Sequence, residues 1–180
     1  MLFNRVIVMG LASSLVFAAA TQSDQTWVRN AAQGGLMEVD LGNRAEKMAT
    51  DPQVKQFAQR IVTDHSAVNK KLEALAAKKG IRLDATMGAP MVAMIEKIAM
   101  KTGKEFEVAY VASMVKDHVE DIKSFETASK TASDPEIRAF AAECLPTLRE
   151  HLKQVQAIQH SMGSGNKMHS DKMSKMDQKP

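Results

Sequence analysis

Residues 51–80 read DPQVKQFAQRIVTDHSAVNKKLEALAAKKG. Steps of four and three through this stretch select Val54, Ala58, Ile61, His65, Val68, Leu72 and Leu75. That is the core-facing stripe of an α-helix, interrupted once near its middle by a histidine. Asp51-Pro52 supplies the start, with proline at the first helical position, and Gly80 the stop.

The pattern recurs in three other segments. One reads Trp27, Ala31, Gly34, Glu38, Leu41, Ala45, Met48; another reads Val108, Val111, Val115, His118, Ile122, Phe125. The last reads Ile137, Ala141, Cys144, Leu148, His151, Val155, Ile158. Each apolar seam is broken once, by a residue type that ligates metals. Burying an uncompensated carboxylate costs several kcal/mol, so four such interruptions call for one explanation.

The expected fold is all-α, an antiparallel four-helix bundle. Its helices run from about Gln25 to Ala49, Pro52 to Lys79, Lys104 to about Lys130, and Pro135 to about His160. The linker carries a short helix of its own from Pro90 to Gly103, with Met91, Met94, Ile95 and Ile98 on one face. Asp51–Ala58 matches Asp134–Ala141 at an offset of 83 residues, and the same offset takes Trp27 to Tyr110. Two duplicated hairpins joined by a long crossover have the connectivity of ferritin-like bundles. Pro146 sits inside the last helix and is expected to kink it.

Depth along the helices can be counted from the two Asp-Pro breaks. Glu38 lies 13 residues before Asp51 and His65 14 after it, whereas His118 lies 16 before Asp134 and His151 17 after it. At roughly 1.5 Å per residue each pair is level, and the two hairpins differ by roughly 4.5 Å, which hairpin stagger absorbs. Glu38, His65, His118 and His151 therefore form a candidate buried metal site. Three imidazoles and a carboxylate suit Zn, Fe, Mn or Cu. Asp64, Asp117 and Glu150 each precede a histidine, and Asp121 lies one turn after His118. An acid of this set can orient the histidine of a neighbouring helix. The alternative is a polar packing network with no metal.

Arg5, the apolar run Val6–Phe17 and Ala18-Ala19-Ala20 read as a signal peptide over residues 1–20. A domain over 21–160 and a disordered tail over 161–180 are then expected in an exported, periplasmic protein with no transmembrane segment. The one cysteine, Cys144, precludes an internal disulfide and lies on an apolar stripe. Net charge is +3 with positive residues dispersed, and no basic-aromatic pattern points to nucleic acid. Neither a nucleophile–base pair nor a phosphate-binding loop is present. In the tail region, His160, Met162, Met168, His169, Met173 and Met176 offer soft ligands for Cu(I) or Ag(I), or else belong to a solubilising segment.

The segments Ala31–Gly42, Asp64-His65-Ser66, Met114–His118 and Leu145–Leu152 resemble the bacterial domain-of-unknown-function 4142 family. The resemblance spans about residues 25–160. It implies a ferritin-like fold and export, with outer-membrane association in some members, and it implies no activity. Val62, Val115 and Leu148 stand three residues before the histidines, so the Glu-x-x-His motif of ferritin-like di-iron proteins is missing. The reading that results is a single transition metal held for metal handling or envelope stress tolerance, not turnover of an organic substrate. One alternative is a non-catalytic interaction protein of the envelope with a buried polar network; another is a metalloenzyme acting on peroxide or superoxide.

Overall fold

The computed structural model describes residues 20–176, with side chains described to Gly163. The signal peptide reading and the side chains of Met168, His169, Met173 and Met176 lie outside the described residues. The chain is all-helical, with five helices in the described residues: α1 (Gln22–Met48), α2 (Pro52–Lys78), α3 (Ala89–Ala99), α4 (Gly103–Thr131) and α5 (Pro135–Met176). No described helix is long and apolar enough to cross a membrane.

Local chemistry sets the helix ends. Thr21 opens α1 with a capping box, its hydroxyl accepting from Asp24 N–H while the Asp24 carboxylate accepts from Thr21 N–H. The Asp51 carboxylate accepts from Gln53 and Val54 N–H, and Asp134 repeats the device with Glu136 and Ile137. Gly80 adopts φ of 67°, which lets Ile81 N–H reach back to Ala76 C=O and close α2. Helix α5 passes through Pro146 without interruption and runs on to Met176, past the boundary at His160 expected from composition. No proline follows Pro146 until Pro180, and Gly163 and Gly165 weaken the helix past His160 without breaking it.

Helices α1 and α2 form one hairpin, α4 and α5 the other, and the hairpins pack through α1 against α4 and α2 against α5. Each turn is held by a buried carboxylate from the opposite hairpin. Glu107, near the start of α4, accepts from Thr50 and Asp51 N–H at 2.6 and 2.8 Å. Asp24, near the start of α1, accepts from Ser133 and Asp134 N–H at 3.1 and 3.2 Å. The two turns therefore lie at opposite ends of the molecule, and the segment carrying α3 returns the chain along its length. Lys79 adds an ion pair to Asp134 at 2.6 Å. Hydrogen bonds from Thr50 and Asp51 hold the Glu107 carboxyl below its usual range, outweighing burial, which acts the other way.

The core falls into two apolar clusters. One gathers Leu41, Phe57, Ile61, Phe106, Tyr110, Met114 and Val155; Met162 packs against it. The other gathers Val28, Leu72, Phe125, Ile137, Phe140, Cys144 and Leu148. On α4 the core face is centred on Phe106, Tyr110, Met114 and His118, while Val108, which the seam pattern placed inside, is 48% exposed.

Replacing Asp24 or Glu107 by alanine removes the acceptor of two backbone N–H groups at the opposite turn each time. Each substitution is expected to cost about 2 kcal/mol in chemical denaturation, and a cost near zero would remove the proposed turn lock.

Candidate metal centre

The two apolar clusters are separated by a polar layer. Each long helix passes from one cluster to the other, and each contributes one buried polar residue to the crossing: Glu38 from α1, His65 from α2, His118 from α4 and His151 from α5. His118 and His151 have no exposed surface, Glu38 has 1% and His65 6%. The histidine ring centroids lie 5.4 to 5.5 Å apart. One nitrogen from each ring lies within 4.8 Å of its two counterparts. Turns at opposite ends still allow this meeting because all four residues sit near mid-helix.

Hydrogen bonding gives each ring a consistent tautomer. His118 Nδ1–H donates to Met114 C=O at 3.0 Å. His151 Nε2–H donates to Asp64 Oδ2 at 2.9 Å. His65 Nδ1 stands 2.7 Å from Glu38 Oε2, an ion-pair distance that places its N–H on that side. The lone pairs left over are on His118 Nε2, His151 Nδ1 and His65 Nε2. The first two face one another at 3.3 Å, and His65 Nε2 has no hydrogen-bond partner. Two lone pairs at that distance repel unless a proton or a cation lies between them. This assignment of N–H groups follows from their partners.

Electrostatics keeps the rings neutral. Burial pushes His65 and His118 down to about 4. Burial also lowers His151, against the opposing hydrogen bond of Asp64. Burial raises Glu38 to about 7 despite the nearby His118. Asp64 lies below the usual carboxylate range because hydrogen bonds from His151 and Arg60 together outweigh its burial. Arg60 Nε stands 3.3 Å from Asp64 Oδ2 and fixes it from outside.

The acids beside the histidines divide. Asp64 holds His151 of a different helix, the cross-helix role open to it from sequence. Asp117 accepts from Ser113 Oγ at 3.1 Å, and Glu150 faces Arg60 at 4.0 Å and Gln154 at 3.5 Å. Asp121 lines a cavity of about 30 Å³ together with Glu38, Asp64 and His65, room for about one water. Burial, and next the Glu38 charge, raise Asp121 to about 8. Glu38 lies outside the group of converging nitrogens, with Oε2 2.7 Å from His65 Nδ1 and Oε1 3.4 Å from His118 Nδ1. His160 is exposed, and Met162 packs on the core. Sequence reasoning missed the Met114 carbonyl, which has no side-chain signature, and Arg60, which an i,i+4 pairing with Asp64 would have suggested. It also missed Phe57, whose ring lies 6.5 Å from His118 and 6.3 Å from His151.

Because Glu38 titrates higher when folded than unfolded, its contribution to stability is present below about pH 4.5 and lost as pH rises towards about 7. In metal-free protein, Glu38→Gln is expected to gain stability relative to the parent chain as pH rises through that window. A difference in stability that stays flat across the window would refute the buried, raised carboxyl.

Three solved structures share the fold. A DUF305 fragment from Deinococcus radiodurans superposes with a TM-score of 0.71 at 14% identity, covering 80% of this chain and 99% of that one. A DUF305 protein from Streptomyces coelicolor, described as secreted, gives 0.67 at 14% identity, covering 81% and 95%. CopM, solved in its Cu(II)-bound form, gives 0.64 at 16% identity, covering 77% and 96%. No curated protein matches the chain. The sequence profile of the domain of unknown function DUF4142 matches residues 12–158, and the chain belongs to that family.

Proposed function

We propose that this protein is an exported metal-handling protein that holds one transition metal through His65, His118 and His151. The observation that carries the reading is the buried ring of three neutral imidazoles. His118 and His151 have an N–H hydrogen-bonded outside, His65 has its Nδ1 against Glu38, and each ring turns its other nitrogen inward. Histidine ligands characteristically donate their other N–H to a carboxylate or a backbone carbonyl, and here Glu38, Asp64 and Met114 C=O are those acceptors. The half-buried carboxylate of Asp64 supplies negative charge behind His151, and buried Glu38 becomes a second one when a cation draws off its proton.

The donor set narrows the metal. Three imidazoles with no carboxylate among the converging atoms suit copper or zinc, whereas manganese and iron favour more oxygen. Copper is the ion we expect. A protein of the same fold, CopM, has been solved with Cu(II) bound. Zinc would call for a fourth ligand, for which the adjoining cavity has room.

In this reading residues 1–20 are a signal peptide, the domain over 21–160 is a ferritin-like four-helix bundle, and the site serves metal handling or envelope stress tolerance in the periplasm. The tail with Met168, His169, Met173 and Met176 is a second, separate soft-ligand candidate. A rival reading has specific support: the 3.3 Å approach of His118 and His151 accommodates a proton as well as an ion. The layer is then a packing network in an envelope interaction protein.

Metal content of untagged protein beginning at Thr21 separates these readings. About one copper per chain is expected, retained in a form ending at His160 and lost in His65→Ala/His151→Ala. Asp64→Asn, which weakens only the orientation of His151, is expected to lower affinity about 10–100-fold. Metal lost only on truncation would place the function in the tail. Absence of metal from every form, even after reconstitution, would favour the network.

A further inference from the structure

Helix α1 has a glycine where it faces Asn69 of α2. A Cβ on Gly35 would stand 2.0 Å from Asn69 Oδ1 and 2.8 Å from its Cγ, so the amide occupies a notch that only glycine leaves open. Asn69 also separates two cavities. Outside it lies a cleft of about 190 Å³ lined by Glu73, Leu83 and Asp84. Inside it lies the cavity of about 30 Å³ that reaches His65, Glu38 and Asp121. Asn69 is the side chain that lines both.

Building on the metal reading above, we propose that Asn69 is the gate through which a cation reaches His65. Carboxyl groups flank the gate on both sides, Glu73 and Asp84 outside and Glu38 and Asp121 within, so the outer pair attracts a cation and the inner pair offers oxygens that lose their protons as it arrives. Among the described residues the Asn69 amide makes no hydrogen bond, so swinging it aside breaks none. The other approaches are closed more firmly. Phe57 packs over His118 and His151 from the far cluster. Opening at Asp64 would break its bonds to both His151 and Arg60. Gly35 and Asn69 therefore act as a pair, the glycine making room and the amide filling it.

The test uses Asn69→Ala and Asn69→Leu in the full mature chain. Two rates are read: removal of bound Cu(II) by a chelator, and labelling of Cys144 by methyl methanethiosulfonate in metal-free protein. Cys144 lines the same inner cavity and reports its opening without any metal. Asn69→Ala is expected to speed both about tenfold and Asn69→Leu to slow metal removal about tenfold, with equilibrium affinity unchanged, as for a residue that gates without ligating. Equal rates in all three chains would overturn the gate. So would a change in affinity alone, or acceleration by Arg60→Ala but not by Asn69→Ala. Should the parent chain bind no Cu(II), the metal reading falls, and Cys144 labelling decides separately whether Asn69 closes the cavity.

Discussion

Four helices each bring one polar side chain to a single buried layer, and that layer is tolerable only while the helices keep register. A slip of one residue turns a helical side chain by about 100°, which would carry a histidine off its acceptor and leave an unpaired polar group in an apolar core. The contacts in the layer span every pair of neighbouring long helices that matters to it. Glu38 reaches His65 between α1 and α2 and His118 between α1 and α4, Asp64 reaches His151 between α2 and α5, and His118 meets His151 between α4 and α5. The apolar clusters on either side supply most of the folding free energy, but they are forgiving of small shifts; the layer is not.

Register is fixed at the ends. Asp24 and Glu107 stand 83 residues apart, the same offset that relates Asp51 to Asp134, and each caps the turn of the hairpin it does not belong to. The duplication is thus expressed as a reciprocal clamp. The site itself breaks the symmetry. At the same offset Glu38 corresponds to Asp121, but His65 corresponds to Leu148 and His118 to Gly35. The scaffold is built from two like halves, whereas the three histidines are arranged in a way that neither half repeats. Gly35, freed of a ligand's role, is the residue that makes room for Asn69.

Much of this was legible because the relevant signals are periodic. Alternating steps of four and three located the four long helices, all but the far end of α5 to within a few residues, and named the four residues that the structure gathers in one layer. Helix α4 was the weakest reading: a stripe through Val108 competes with one through Phe106 and Tyr110, and burial of the larger aromatic surface decides it. The crossed caps were illegible because no local pattern marks a contact between residues more than fifty positions apart. Counting depth from the turns assumed a common end. The answer survived because the four residues lie near mid-helix, where opposite ends give nearly the same level. A backbone acceptor such as Met114 C=O leaves no trace in a search for ligand side chains.

The distribution of the three histidines carries a further consequence for the coupling between site and fold. His65 belongs to the first hairpin, while His118 and His151 belong to the second. An ion shared among them would tie the hairpins across the interface where α2 meets α5, a smaller contact than either hairpin makes internally. Binding that occurs only when the hairpins are docked adds its free energy to docking, by mass action. Helix α1 would feel the ion only through Glu38, whose carboxylate accepts from His65 Nδ1–H when that ring uses Nε2 as a ligand. Raising the charge in the layer would then draw the proton from Glu38, turning a neutral buried pair into a carboxylate that balances the ion. The polar layer is costly for an empty fold, and the same arrangement of tautomers and carboxylates makes it favourable around a cation.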